Sequence, residues 1–192
     1  MPSFIPLPLV IVAGGKSSRM GCDKALLPFG DAPTLTQFQF ARLKSFFKSL
    51  HVSTKSKDKF SFDASFIEDI PTYEERSPLI ALLSILKELQ TPVCVLSVDT
   101  PFVTPLIFER LFGALTQNAD AVVARSPHGM HPLCAIYAPS LIPYIETMLA
   151  QNEHKIHTLL QKASSVWVDF ESDAPFLNLN HPEEYEMAKG LL

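Results

Sequence analysis

Most of this chain interrupts its hydrophobic runs every few residues, but two stretches do not. Leu9 to Ala13 and Pro92 to Val98 carry apolar, largely β-branched side chains at almost every position. A strand with one wet face shows a polar residue at every second position, so unbroken runs of this kind predict strands buried on both faces of a parallel sheet. Between them the period changes. Leu35, Phe38, Ala41, Phe46 and Leu50 form a helical stripe that predicts a crossover helix over Thr34 to Leu50, followed by a weak strand from Leu50 to Thr54. Phe66 to Asp69 predicts a short strand, Ile70 to Pro78 a proline-containing loop, and Pro78 to Gln90 a helix with proline in its first turn.

After the second apolar run the alternation continues. Helices are expected over Thr104 to Gln117, Pro139 to Gln151 and Lys155 to Lys162, and strands over Asp120 to Arg125, Leu133 to Ala138, Val166 to Phe170 and Phe176 to Asn180. Ser126 to Pro132 reads as a loop, and Pro182 with Glu183 and Glu184 reads as a helix start. Strands alternating with helices over 192 residues predict a single α/β domain spanning residues 1–192. Its architecture is expected to be three-layered and Rossmann-like, with a mainly parallel central sheet and one or two antiparallel strands in the second half.

Composition changes this picture little, but it excludes some functions. At 47% hydrophobic and 19% charged residues the chain has ample material for a packed core. No apolar run approaches the roughly 20 residues that span a bilayer, and the start has neither a basic segment nor a long apolar stretch, so a cytoplasmic protein without membrane contact is expected. The net charge of −4 argues against a nucleic-acid footprint, which needs a basic face. Lys44, Lys48, Lys55, Lys57 and Lys59 form one basic stretch, read as a solvated helix end and loop. Cys22, Cys94 and Cys134 are an odd, widely spaced set without a C-x-x-C pair, and reduced thiols are expected.

The chemistry is concentrated where the first apolar run stops. Gly14 and Gly15 leave backbone N–H groups bare, and Lys16, Ser17, Ser18, Arg19 and Lys24 follow at once. Bare amides, hydroxyls and positive charges at the C-terminal end of a central strand suit a phosphate chain. The known phosphate loops do not fit: a P-loop requires Gly-Lys-Ser/Thr after four residues, and Gly14, Gly15 and Gly21 cannot be laid onto Gly-x-Gly-x-x-Gly. Asp99 directly follows the second apolar run, at the same sheet edge. It reads either as a turn former before Thr100-Pro101 or as a Mg²⁺ ligand facing the phosphates. A phosphoaspartyl phosphatase is excluded because the positions two residues away are Ser97 and Pro101. Asp69 reads as a strand-end residue capping a turn. His128 and His131 lack a third metal ligand nearby.

Ala13-Gly-Gly-Lys-Ser-Ser-Arg-Met-Gly-Cys-Asp-Lys24 resembles the twelve-residue signature A-G-G-x-S-x-R-M-G-x-D-K of the molybdenum cofactor guanylyltransferases. Asp99 with Pro101, His131-Pro132 and Asn178-Leu-Asn180 with Pro182-Glu-Glu184 resemble further landmarks of that family. The resemblance implies transfer of GMP from GTP to the terminal phosphate of molybdopterin, or of molybdenum-molybdopterin, with Mg²⁺ held by Asp99. It implies nucleotide contacts by Val12, Ala13, Gly14, Gly15, Lys24, Ser53, Asp69 and Asp99, with Arg19, Lys24 and Asp99 catalytic. Asn178, Asn180 and His131 would face the acceptor, and transient contact with cofactor-delivering proteins or molybdoenzymes is implied as well. Where relatives have G-P-L-A-G, this chain has Ser77-Pro-Leu-Ile-Ala-Leu82. A molybdopterin cytidylyltransferase, a sugar- or isoprenoid-phosphate nucleotidyltransferase and a non-catalytic nucleotide-binding regulator are the alternatives at this stage.

Overall fold

The two apolar runs form the middle of the sheet. In the computed structural model, which describes residues 3–14, 23–73 and 77–191, strand β1 (Ile5–Val12) lies between β2 (Phe47–Thr54) and β4 (Val93–Ser97). Side chains alternate across the strands, so Leu9 and Ile11 of β1 and Cys94 and Leu96 of β4 enter one core layer. Val10 and Val12 with Val93 and Val95 enter the other. The first layer is closed by helices α1 (Leu35–Leu43), α3 (Pro105–Gly113) and α6 (Pro182–Lys189), and the second by α2 (Pro78–Leu89), α4 (Ile142–Ala150) and α5 (Ile156–Lys162).

Seven strands run in the order β3-β2-β1-β4-β6-β5-β7, with β3 at Ser65–Glu68, β5 at Ala121–Ser126, β6 at Gly129–Tyr137 and β7 at Ser165–Asp169. Only β6 is antiparallel to its neighbours. Strand order reverses beside β1, because β2 lies on one side of it and β4 on the other. The crevice beyond the C-terminal ends of these strands is where open α/β sheets bind ligands.

Three elements differ from expectation. The helix expected to reach Leu50 ends at Leu43, and β2 starts at Phe47. The spacing of Leu43, Phe46 and Leu50 suits a helix as well as a strand; parallel pairing with β1, which satisfies the backbone of eight residues, favours the strand. The loop expected over Ser126 to Pro132 is a tight hairpin, since β6 begins at Gly129, whose φ of 136° suits glycine. Phe176 to Asn180 is not a strand. A short 3-10 turn (Ala174–Phe176) leads into extended chain, anchored by buried Phe176 and Leu179 three positions apart rather than by period-2 alternation.

β6 is irregular in a way that matters below. Ala124 pairs with His131 while Val123 pairs with Ala135, so Pro132, Leu133 and Cys134 bulge out of the β5–β6 ladder. Pro132 has no ladder hydrogen to lose, and the buried Tyr137 hydroxyl donates to its carbonyl at 2.7 Å.

Candidate functional site

The backbone of the crevice is tied down by the strands themselves. Val98 N–H donates to the Val12 carbonyl at 3.1 Å, Ala13 N–H to the Ser53 carbonyl at 2.8 Å, and Asp69 N–H to the Thr54 carbonyl at 3.0 Å. These bonds set the ends of β1, β2, β3 and β4 side by side. The turn carrying Asp99 is fixed further from below, where Gln39 of α1, fully buried, donates its amide to the carbonyls of Val98 (3.3 Å) and Thr100 (3.1 Å). Arg42 holds the other end of that amide by donating Nε to Oε1 at 2.8 Å, and it reaches the Val103 carbonyl at 2.7 Å. Burial draws the Arg42 pKa down to about 10, so the guanidinium is still charged at neutral pH. Gln39→Leu should cost about 2–3 kcal/mol of stability, because two carbonyls lose a donor and the partly buried guanidinium is left with its bond to Val103. A denaturant titration of the variant checks this.

Lys24 is the junction of the site. Asp23 caps the short 3-10 turn Lys24–Leu26 by accepting from Ala25 N–H at 3.1 Å, which points the lysine across the crevice. Its Nζ donates to Asp99 Oδ2 at 3.2 Å and to Asn180 Oδ1 at 2.8 Å. Ser97 Oγ donates to the other oxygen of Asp99 at 2.5 Å. The Asn180 segment is held from both sides: Leu179 N–H donates to the Asp99 carbonyl at 2.9 Å, and Glu184 Oε2 accepts from Asn180 N–H at 2.6 Å and His181 N–H at 2.9 Å. Three distant parts of the chain thus meet at one ammonium group.

Two cavities border these segments: Asp23, next to Lys24 in the chain, lines the first, and Asp99 and Asn180 line the second. The larger, about 590 Å³, is lined by Gly14, Thr54, Lys55, Lys59, Asp69 and Ser77 among others. The smaller, about 240 Å³, is lined by Asp99, His131, Phe176, Asn178 and Asn180 together with the bulge residues. Of the sequence-predicted residues, Gly14 and Asp69 line the larger cavity, and Asp99, His131, Asn178 and Asn180 line the smaller. Val12 and Ala13 have buried side chains, and Ser53 is buried with its hydroxyl unpaired among the described residues; Thr54 rather than Ser53 lines the larger cavity. Gly15 and Arg19 lie outside the described residues. In the segment with altered glycines, Ser77 caps α2 by accepting from Leu79 N–H (3.1 Å) and Ile80 N–H (3.3 Å), and small Ala81 borders the larger cavity.

With this geometry in view, comparison with known proteins is informative. The profile of the MobA-like NTP transferase domain matches residues 9–166. The chain belongs to this family. A molybdenum cofactor guanylyltransferase from Campylobacter jejuni is 42% identical over 184 residues, covering 95% of each chain. One from Helicobacter pylori is 31% identical over 197 residues, covering all of this chain and 92% of the relative. The crystal structure of molybdopterin-guanine dinucleotide biosynthesis protein A from Archaeoglobus fulgidus superposes with a TM-score of 0.83 at 20% identity, covering 96% of this chain and 98% of that one, and so shares its fold. This family member is a nucleotidyltransferase built on the seven-stranded sheet described above.

One residue of the site escaped sequence reasoning. Lys59 was read as part of a solvated basic stretch, yet its Nζ donates to the Ala13 carbonyl at 2.9 Å and to Asp23 Oδ2 at 2.7 Å, and it sits 4.9 Å from the Phe60 ring centroid. It joins the end of β1 to the start of the Lys24 turn. The available signal was the phenylalanine set Phe60, Phe62 and Phe66 around it, whose rings pack together and fold this segment back onto the sheet edge.

Proposed function

We propose that the chain transfers GMP from GTP to the terminal phosphate of molybdopterin, or of its molybdenum-loaded form, in the cytoplasm. The observation that carries this reading is the Lys24–Asp99–Asn180 junction, where a lysine that follows Asp23 of the larger cavity's wall is held by two residues of the smaller cavity's wall. The names of the curated relatives supply the substrates. In this reading the larger cavity takes GTP and the smaller one the acceptor, so that the two phosphate groups meet at Lys24.

An oxygen of the acceptor phosphate attacks the α-phosphorus of GTP, the new P–O–P bond forms, the bond between the α-phosphorus and the bridging oxygen breaks, and pyrophosphate leaves. A phosphomonoester has its second pKa near 6, so the nucleophile is already largely anionic at neutral pH and requires no general base. What the chain supplies is position and charge. Bare Gly14 borders the larger cavity; among the described residues a Cβ there would meet nothing closer than 3.9 Å, which leaves space for a close ligand approach. Gly15 and Arg19 extend this phosphate site in the proposal. Lys24 Nζ, held by Asp99 and Asn180, offsets the charge gathering on the α-phosphate. Lys59 and Lys55 lie where they serve the β- and γ-phosphates, and Asp69 faces the same cavity and contacts the nucleoside.

Asp99 would hold Mg²⁺. The donor set fits: Asp99 stands just past the C-terminal end of β4 on a cavity wall, and Mg²⁺ characteristically takes one or two carboxylates with phosphate oxygens and water as its other ligands. When bound, the ion neutralises developing charge on the phosphate oxygens.

Lys59→Met should fold normally, because Lys59 is partly exposed, and should raise the KM for GTP about tenfold with a smaller change in kcat, since a charge near the outer phosphates acts on binding before chemistry. Initial rates of pyrophosphate release against GTP concentration check it. An unchanged KM would take Lys59 out of the nucleotide site.

A further inference from the structure

We infer that Asp173, acting through Ser126, holds His131 as the Nε2–H tautomer, so that a bare Nδ1 accepts a hydrogen bond from an N–H or O–H group of the molecule in the smaller cavity. This rests on the reading of that cavity as the acceptor site. Three observations combine. His131 is the last β6 residue paired with β5 before the bulge at Pro132 to Cys134, and its ring stacks on Phe176 with centroids 4.1 Å apart and planes 7° from parallel. Both rings border the smaller cavity. Ser126 Oγ bonds to His131 Nε2 at 2.7 Å and donates to Asp173 Oδ1.

The direction of the chain of bonds follows from counting protons. Asp173 Oδ1 also accepts from His128 N–H at 3.0 Å and Oδ2 pairs with His128 Nδ1, and these donors together with Ser126 keep the carboxyl below its ordinary range, hence ionised. A carboxylate only accepts, so the single Ser126 proton is committed to it. The Ser126 oxygen must then accept from His131, which places the ring proton on Nε2. Burial keeps His131 below the usual histidine range against the opposing pull of Asp173, so the ring is neutral above that range and carries no second proton. Nδ1 has no protein partner among the described residues. A histidine fixed in this way discriminates: it rewards a ligand donor and leaves an acceptor unpaired. Ser126 and Asp173 are positioning residues, and they touch no substrate themselves.

The test uses the full chain labelled with ¹⁵N-histidine at mildly alkaline pH, beside steady-state kinetics with GTP and molybdopterin and a thermal melt of each variant. Long-range ¹H–¹⁵N correlation should show His131 protonated on Nε2 in the wild type. Asp173→Ala frees the Ser126 proton, so His131 should become a tautomer mixture, and KM for molybdopterin should rise by the inverse of the remaining Nε2–H share, about twofold for an equal mixture, with KM for GTP and kcat little changed. Asp173→Asn should restore both, because the fixed donor His128 N–H orients the amide oxygen toward Ser126. Wild-type His131 protonated on Nδ1, or Asp173→Ala with unchanged tautomer, or a tautomer shift without a change in KM for molybdopterin, each overturns the inference. A wild type with the Nε2–H tautomer but no transfer to molybdopterin instead overturns the functional reading, and the two failures are thereby distinguished.

Discussion

Asp99→Asn should leave the protein folded and lower its turnover on the order of 10² to 10³-fold, roughly 3–4 kcal/mol of lost transition-state stabilisation. The structure explains why the fold survives. In the wild type one carboxylate oxygen accepts from Ser97 Oγ and the other from Lys24 Nζ. An asparagine can turn its amide oxygen to the lysine and donate its NH₂ to the serine, whose hydroxyl simply reverses. The partly exposed ion pair contributes little stability by itself, so the melting temperature should move by a few degrees at most. What is lost is negative charge at the junction, and with it the anchor proposed for Mg²⁺. A folded variant with near wild-type pyrophosphate release and an unchanged Mg²⁺ dependence would reduce Asp99 to a turn former.

Lys24→Met should be at least as damaging to turnover, on the order of 10³-fold, for a different reason. Methionine keeps much of the length and the apolar stem but removes the one donor shared by Asp99 and Asn180. Asp99 then loses its ammonium partner beside the place where two phosphate groups must meet, so the variant loses an attraction for the phosphates and leaves the carboxylate balanced only by the ion proposed there. Binding of GTP alone, measured by calorimetry, should weaken far less than turnover falls, because the outer phosphates keep Lys55 and Lys59. Equal losses in binding and turnover would place Lys24 at the nucleotide only and remove it from the transfer step.

The middle of the sheet was legible because strands buried on both faces leave unbroken apolar runs, as Leu9 to Ala13 and Pro92 to Val98 do. Where one pattern serves two structures it was not. Phe46 and Leu50 continue the helical stripe of α1 as well as they fit a strand, and only pairing with β1 decides between them. Phe176 and Leu179 were read as parts of a strand although they act as two anchors of an extended segment without a ladder. In the site, the resemblance supplied the names Lys24, Asp99 and Asn180 but not their meeting: they lie 75 and 156 positions apart in the chain, and the fold brings them to one ammonium group. Lys59 was invisible for a related reason, since a lysine in a run of lysines looks solvated until the phenylalanines beside it are seen to fold the segment back. The stack of His131 on Phe176 likewise joins distant positions, beside a bulge that His131-Pro132 hints at without locating.

In the proposed reaction the site at Lys24, with one cavity for each substrate, joins a guanine nucleotide to molybdopterin. Incubation of the purified protein with Mg²⁺, molybdopterin and each of GTP, CTP, ATP and UTP in turn, with pyrophosphate release and the mass of the pterin product followed together, tests it most directly. The account predicts pyrophosphate release with GTP and a product heavier than molybdopterin by one guanylyl group, and little of either with the other three. Faster release with CTP and a cytidylyl product, or nucleotide binding with no release from any of the four, would contradict it.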